Sequence, residues 1–200
     1  VPPLGANHLC NRSYPRLNET FKMENKTAKP LLWIGMASIV MAFAGLTSGY
    51  VVAKGSLVAK NIWLTIPLPT AFYYSTVAIF LSSLILIAGQ RKMKADATYS
   101  PKRNMQWALL AGLAFLGFQV AGWTHLVDAN IWFTGPNSTP AGSWLYVITW
   151  FHWMHALAGV VVLAITTWRS VQGRYSGASY LGYSLAAQFW HFLGILWIYL

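Results

Sequence analysis

Acidic side chains are almost missing from this sequence: Glu19, Glu24, Asp96 and Asp128 are the only four in 200 residues. Charged residues of both signs amount to 9%, against roughly 25% in an average soluble domain. So little charge excludes an ordinary soluble globule, and a 56% hydrophobic content excludes intrinsic disorder, which needs low hydrophobicity. The single cysteine, Cys10, excludes an intrachain disulfide and a Cys-rich zinc, iron–sulfur or paired-cysteine copper site. No Cys-x-x-Cys-His occurs, so covalent haem attachment of the c type has no support. What remains is an integral membrane protein.

The apolar residues are gathered into five stretches, roughly 31–53, 70–90, 105–126, 143–167 and 180–200, none with Asp, Glu, Lys or Arg in its interior. About 20 residues at a rise of ~1.5 Å each cross a ~30 Å hydrocarbon core, so each stretch is long enough to span. Barrel strands would alternate polar and apolar residues, and these do not. The sequence therefore predicts an all-α, polytopic membrane protein with five transmembrane helices. Pro67 and Pro69, Pro101, and Pro136 and Pro140 stand between stretches, where they punctuate loops. Residues 1–30 form a polar N-terminal tail and 31–200 the five-helix bundle. The first stretch is too long for a cleaved signal peptide and lacks its small-residue cleavage site. Met23 stands ahead of Lys26 and Lys29, which leaves two readings of 1–22: an extension upstream of the biological start, or a native tail that docks on a partner.

The net charge is +10. Lys and Arg sit in short clusters between apolar stretches, which is how membrane topology is encoded, rather than in a patch for nucleic acid. The tail, the 91–103 connection and the connection after the fourth stretch carry twelve of them; the two alternate connections carry only Lys54 and Lys60. The positive-inside rule then puts the N-terminus in the cytoplasm and the C-terminus outside. Arg91, Lys92, Arg103 and Arg169 fall at the basic ends, where anionic lipid headgroups collect. Trp33, Trp63, Trp107, Trp123, Trp132, Trp144 and Trp168 fall near span ends as an interfacial belt.

Small residues four apart, Gly45/Gly49, Ala108/Gly112, Gly117/Ala121 and Gly182/Ala186, let helix backbones approach closely, either within the bundle or at a subunit interface. Polar side chains within the spans each need a reason, because they are costly in lipid. His152 and His155 lie three apart on one helix face, with Gly159 continuing the stripe. His191 and its neighbour Trp190 lie in the last span, Gln119 in the third, and His125 ends the third near Asp128 as an exposed ion pair. Counted from the basic end, His155 and His191 sit at similar depths, roughly 18 and 17 Å along the helices, so they could share a hydrogen-bond cluster. Haem ligation, a proton relay and interhelical hydrogen bonding are the alternatives for the three histidines. Bulky Trp and Phe beside each one weigh against haem. Trp190 and Trp197 read as packing residues.

Gly142-Ser143 followed by Phe151-His152-x-x-His155 and Gly159, then Ala186-Ala187-x-x-Trp190-His191-Phe192 with Trp197, resembles the signature of haem–copper oxidase subunit III. Phe118-Gln119 matches as well, and the resemblance runs from about Lys29 to Leu200. It implies the five-helix bacterial form of a fold that otherwise has seven helices. It also implies an accessory subunit with no catalytic residues and no metal, haem or copper of its own. Such a subunit packs against the subunits I and II that hold the haems and copper, binds phospholipid in a cleft, and sustains proton uptake and turnover in the inner membrane, within a larger respiratory assembly or alone. Two departures stand out. Ser38-Ile39 replaces a Ser-Glu pair frequent in the family, and Leu193-Gly194 replaces a Val-Asp pair, so a direct proton-transfer role has no carboxylate here. The competing reading is a haem b or quinol-binding membrane anchor that uses His152, His155 and His191. A transporter would show repeat symmetry or broken helices, and neither is visible.

Overall fold

A computed structural model describes residues 14–200 other than 62, 65, 97, 136–137, 174 and 176–180, with side chains from Thr27 onward. Cys10, Arg12, Pro136 and Arg174 lie outside the described residues. Five helices follow one another: α1 (Tyr14–Val58), α2 (Thr70–Ala95), α3 (Lys102–Asp128), α4 (Pro140–Val171) and α5 (Leu181–Tyr199). All five contain a segment long and apolar enough to cross a membrane, that of α1 being Thr27–Val58. Most helices outrun their apolar stretches because basic and small polar residues carry the helix past the hydrocarbon; α2 continues through Arg91, Lys92 and Lys94. Helix α1 reaches back to Tyr14 across the segment set apart above as a polar tail, with Pro30 inside it. Pro69 and Pro101 are N-cap residues, but Pro140, expected in a loop, is the first residue of α4. Its missing N–H costs nothing there, and Thr139 caps the helix by accepting from the Gly142 N–H at 3.2 Å.

Helices α2, α3, α4 and α5 close a ring in that order, α5 packing back on α2, while α1 stands outside against α4 and α5. The axis of the ring is filled by Trp190, wholly buried between two glycines. A methyl added at Gly112 of α3 would stand 3.1 Å from the indole, and one at Gly159 of α4 would stand 2.7 Å from Leu193 Cδ1 and 3.1 Å from Trp190 Cε3. Small residues thus create the volume that one large residue occupies. In lipid, packing of this kind replaces the hydrophobic drive. Interhelical hydrogen bonds fix the register. Ser82 Oγ donates to the Ala108 carbonyl at 2.9 Å, the Tyr183 hydroxyl to the Leu86 carbonyl at 2.7 Å, and Asn104 Nδ2 to the Ile85 carbonyl at 3.2 Å.

Helix α1 attaches by one seam. Met36 and Phe43 are its two buried side chains among those described, with Ile39, Leu46 and Tyr50 half-buried between and beyond them. That spacing of three and four is the pattern of two helices packing at a shallow angle. The Gly45/Gly49 pair is divided: Gly49 lies against Trp144, and Gly45 faces open space. Gly117 also faces open space, whereas Gly182 lies against the Tyr175 ring. The exposed side chains of α1, α2 and α3 are large and apolar, among them Met41, Val52, Tyr73, Phe80 and Trp107, as a surface in lipid requires.

Candidate functional site

The bundle has two chemically different ends. Lys29, Arg91, Lys92, Lys94, Lys102, Arg103 and Arg169 mark a basic end, and the connections after α1 and α3 mark the opposite end, where Lys54 and Lys60 are the basic residues. His152 lies within the core, completely buried. Its ring meets Trp197 at 5.3 Å between centroids, Phe115 at 6.1 Å and Phe43 at 6.2 Å. Neither ring nitrogen has a hydrogen-bond partner. His155, one turn further on, is half-buried; its Nδ1 donates to the Phe151 carbonyl at 2.8 Å, and its ring packs on Phe43 and Phe151. The rings packed against these two imidazoles are thus Phe43, Phe115, Phe151 and Trp197. Among the described residues, no group of three or more His, Cys, Asp or Glu side chains is arranged to hold a metal ion.

The polar partners of this core come from α2. Gln119, wholly buried, donates through Nε2 to Ser75 Oγ at 3.0 Å, and the Ser75 hydroxyl donates in turn to the Phe72 carbonyl at 2.7 Å. Trp197 Nε1 donates to Thr76 Oγ1 at 2.9 Å. Gln119 and Trp197 therefore tie α3 and α5 to the same turn of α2. Sequence reading singled out Gln119 and Trp197 but missed Ser75, Thr76, Phe43 and Phe115, whose types are common in any span.

His191 does not join His155. No hydrogen bond links them among the described residues. His155 turns toward Phe43 and its own helix, while His191 lines a groove of about 440 Å³ between α1, α2 and α5. A similar residue count from the basic end did not make them neighbours, because their surroundings differ. Nor do His125 and Asp128 pair: both are exposed and no ion pair joins them. Each can stay hydrated at the end of α3, so a local pair has little to gain.

Arg91, Lys92, Arg103 and Arg169 are all exposed. Lys92 Nζ lies 5.9 Å from the centre of the Tyr99 ring. Arg169 stands at the basic end of a second groove, about 380 Å³, lined by Leu32 of α1, Val162 and Ile165 of α4, and Leu185 and Phe189 of α5. Beyond the end of α2, Asp96 accepts from both the hydroxyl and the backbone N–H of Thr98, at 2.7 and 2.8 Å, and these bonds hold its carboxyl below the ordinary value of 3.8.

The geometry is that of a polytopic α-helical membrane protein with a closed core in which aromatic rings surround a few polar side chains. Residues 64–200 match the family model of cytochrome c oxidase subunit III. The chain belongs to that family. It is 26% identical to cytochrome c oxidase subunit 3 of Thermostichus vulcanus, over 84% of this chain and 82% of that one. It is 27% identical to the probable cytochrome c oxidase subunit 3 of Nocardia farcinica, over 84% and 81%. The subunit 3 of Synechocystis sp. is 28% identical over 63% of this chain and about half (52%) of its own length.

Proposed function

We propose that the chain is the accessory, non-redox third subunit of a respiratory haem–copper oxidase, seated beside subunits I and II in a bacterial inner membrane with its N-terminus in the cytoplasm. The observation that carries the reading is the family match across α2–α5, with His152 and His155 enclosed by rings. A scaffold needs the packing motif Gln119, His152, His155, Gly159, Trp190, His191 and Trp197, and it needs no catalytic group. Haems and copper reside in the partner subunits. What this chain contributes is a rigid, uncharged wall that excludes water along a neighbour's lipid-facing surface. Oxygen consumption followed over time, at matched haem content, tests it. Without this subunit the initial rate persists in part and decays faster; complete loss of the initial rate in a correctly assembled remainder would refute the accessory role.

Lipid belongs to the same proposal. An anionic headgroup sits against Arg169, with an acyl chain along the apolar groove beside it, and Arg91, Lys92 and Arg103 collect further headgroups. Native mass spectrometry in mild detergent should show retained phospholipid that falls in Arg169→Gln. Retention unchanged in that variant would remove Arg169 from the site.

A further inference from the structure

The two grooves beside α1 differ in chemistry. The one toward α4 is apolar and ends at a cation. The one toward α2 has no charged residue in its lining, yet carries Gln90, Ser184, Gln188 and His191. Ser184, Gln188 and His191 lie at i, i+4 and i+7 of α5, a single face that runs from the basic end toward mid-membrane. Gln90 Nε2 reaches Ser184 Oγ at 3.4 Å, which occupies the shallow end. The deeper pair is not so engaged: Gln188 makes no hydrogen bond among the described residues, and His191 Nε2 is buried without a partner. Polar groups left open at that depth are costly in a bilayer, and a largely apolar pocket with a few convergent polar groups is the common form of a small-molecule site.

We propose that this groove binds a neutral, lipid-soluble ring carrying two hydrogen-bonding oxygens, of the quinone class. Three features select that occupant. The lining has no cation to neutralise a phosphate. Gln188 and His191 lie about 10 and 15 Å along α5 from its start at Leu181, deeper than the ester region of a phospholipid, so a glycerolipid would set hydrocarbon against them. Three residues, about 4.5 Å of rise, separate the pair, which suits oxygens on opposite sides of one ring. The amide of Gln188 donates to one oxygen and the half-buried imidazole of His191 engages the other through the part of its ring that lines the groove, while Trp33 and Phe192 supply aromatic walls. Binding alone is proposed; no electron is passed to this chain, and the inference is independent of which subunit the chain packs against.

The test uses the complete oxidase in phosphatidylcholine nanodiscs and a photoactivatable short-chain quinone, with labelled peptides mapped on this chain alone. Labelling should concentrate on peptides carrying residues 184–192 and be competed by decylubiquinone. It should fall at least tenfold in a Gln188→Leu/His191→Phe double variant with normal haem content. Ile195→Trp, which fills the groove from its exposed rim, should have the same effect and decides the matter if the double variant does not assemble. Labelling spread over all lipid-facing peptides, or undiminished in the variants, would mean partition into the bilayer and overturn the proposal. Equal competition by diacylglycerol or phosphatidylglycerol would make the groove a lipid site and overturn it as well.

Discussion

Replacing Gly159 by alanine tests whether close packing on Trp190 holds the bundle. The new methyl would stand 2.7 Å from Leu193 Cδ1 and 3.1 Å from the Trp190 ring. Both side chains are wholly buried, so neither can swing into open space. Overpacking of this kind costs about 1–3 kcal/mol. Against it stands the helix preference for alanine over glycine, about 1 kcal/mol. The comparison that removes this second effect is Gly117→Ala, in the middle of α3, where a methyl meets nothing within 4 Å. Propensity should stabilise that variant by up to about 1 kcal/mol, so the two substitutions should differ by the packing cost itself, about 1–3 kcal/mol. Leu193→Ala in the Gly159→Ala background relieves the closest clash, and the double variant should lose less than the two single losses added together. The assay is reversible unfolding in mixed micelles with increasing dodecyl sulfate, followed by tryptophan emission. If Gly159→Ala and Gly117→Ala shift the midpoint equally and in the same direction, the indole is not gripped at Gly159 and the account of the core is wrong.

Further outcomes follow from particular residues. His152→Phe should leave stability unchanged or raised, because both nitrogens lack partners and an apolar ring of similar shape removes two buried polar atoms; a loss above about 2 kcal/mol in the same unfolding assay would show an essential hydrogen bond. Gln119→Leu should cost about 0.6 kcal/mol, the mean for an interhelical bond in lipid, by releasing Ser75. Asp96 has a folded-state pKa below 3.8, so its bonds from Thr98 persist down to that pH and are lost only as the pH falls further; a carboxyl carbon shift that titrates above 3.8 would contradict the turn. Reporter fusions at Leu200 and in the 96–101 connection should read outside and cytoplasm respectively; a cytoplasmic signal at Leu200 would reverse the proposed orientation.

Hydropathy made the number and order of helices legible because each crossing must satisfy its own backbone in lipid. It placed α2 at 70–90, where the helix runs Thr70–Ala95, since the scale registers the hydrocarbon and not the basic turn beyond it. The glycines at 112 and 159 carried a packing signal, and both lie against Trp190 as small-residue spacing implies. Azimuth was beyond reach. Depth along a helix follows from counting residues, but the side of α5 that His191 faces depends on where α1 and α2 stand. Position in the bundle was equally hidden: α1 precedes α2 in sequence yet packs on α4 and α5. The connection of residues 59–69 is long enough to permit that crossing, and no local residue pattern announces it.

The unequal attachment of the helices bears on how the subunit works. The α2–α5 ring is closed, its axis filled by one indole and its register fixed by bonds such as Tyr183 to Leu86 and Ser82 to Ala108. Helix α1 has one seam, and its firmest contacts on the ring cluster toward the end opposite the basic one: Phe43 on Phe151, Tyr50 on Trp144, and Thr47 sharing a 3.3 Å hydrogen bond with Tyr199. Toward the basic end, Trp33 and Leu32 line grooves on either side of α1 rather than closing on the ring. Since apolar burial drives little association between helices in lipid, whatever occupies those grooves contributes packing that the protein itself does not supply. The stability of α1 against the bundle should therefore depend on bound molecules far more than that of the ring does. An accessory subunit built this way can hold its rigid ring against a neighbour while its first helix responds to the composition of the surrounding bilayer.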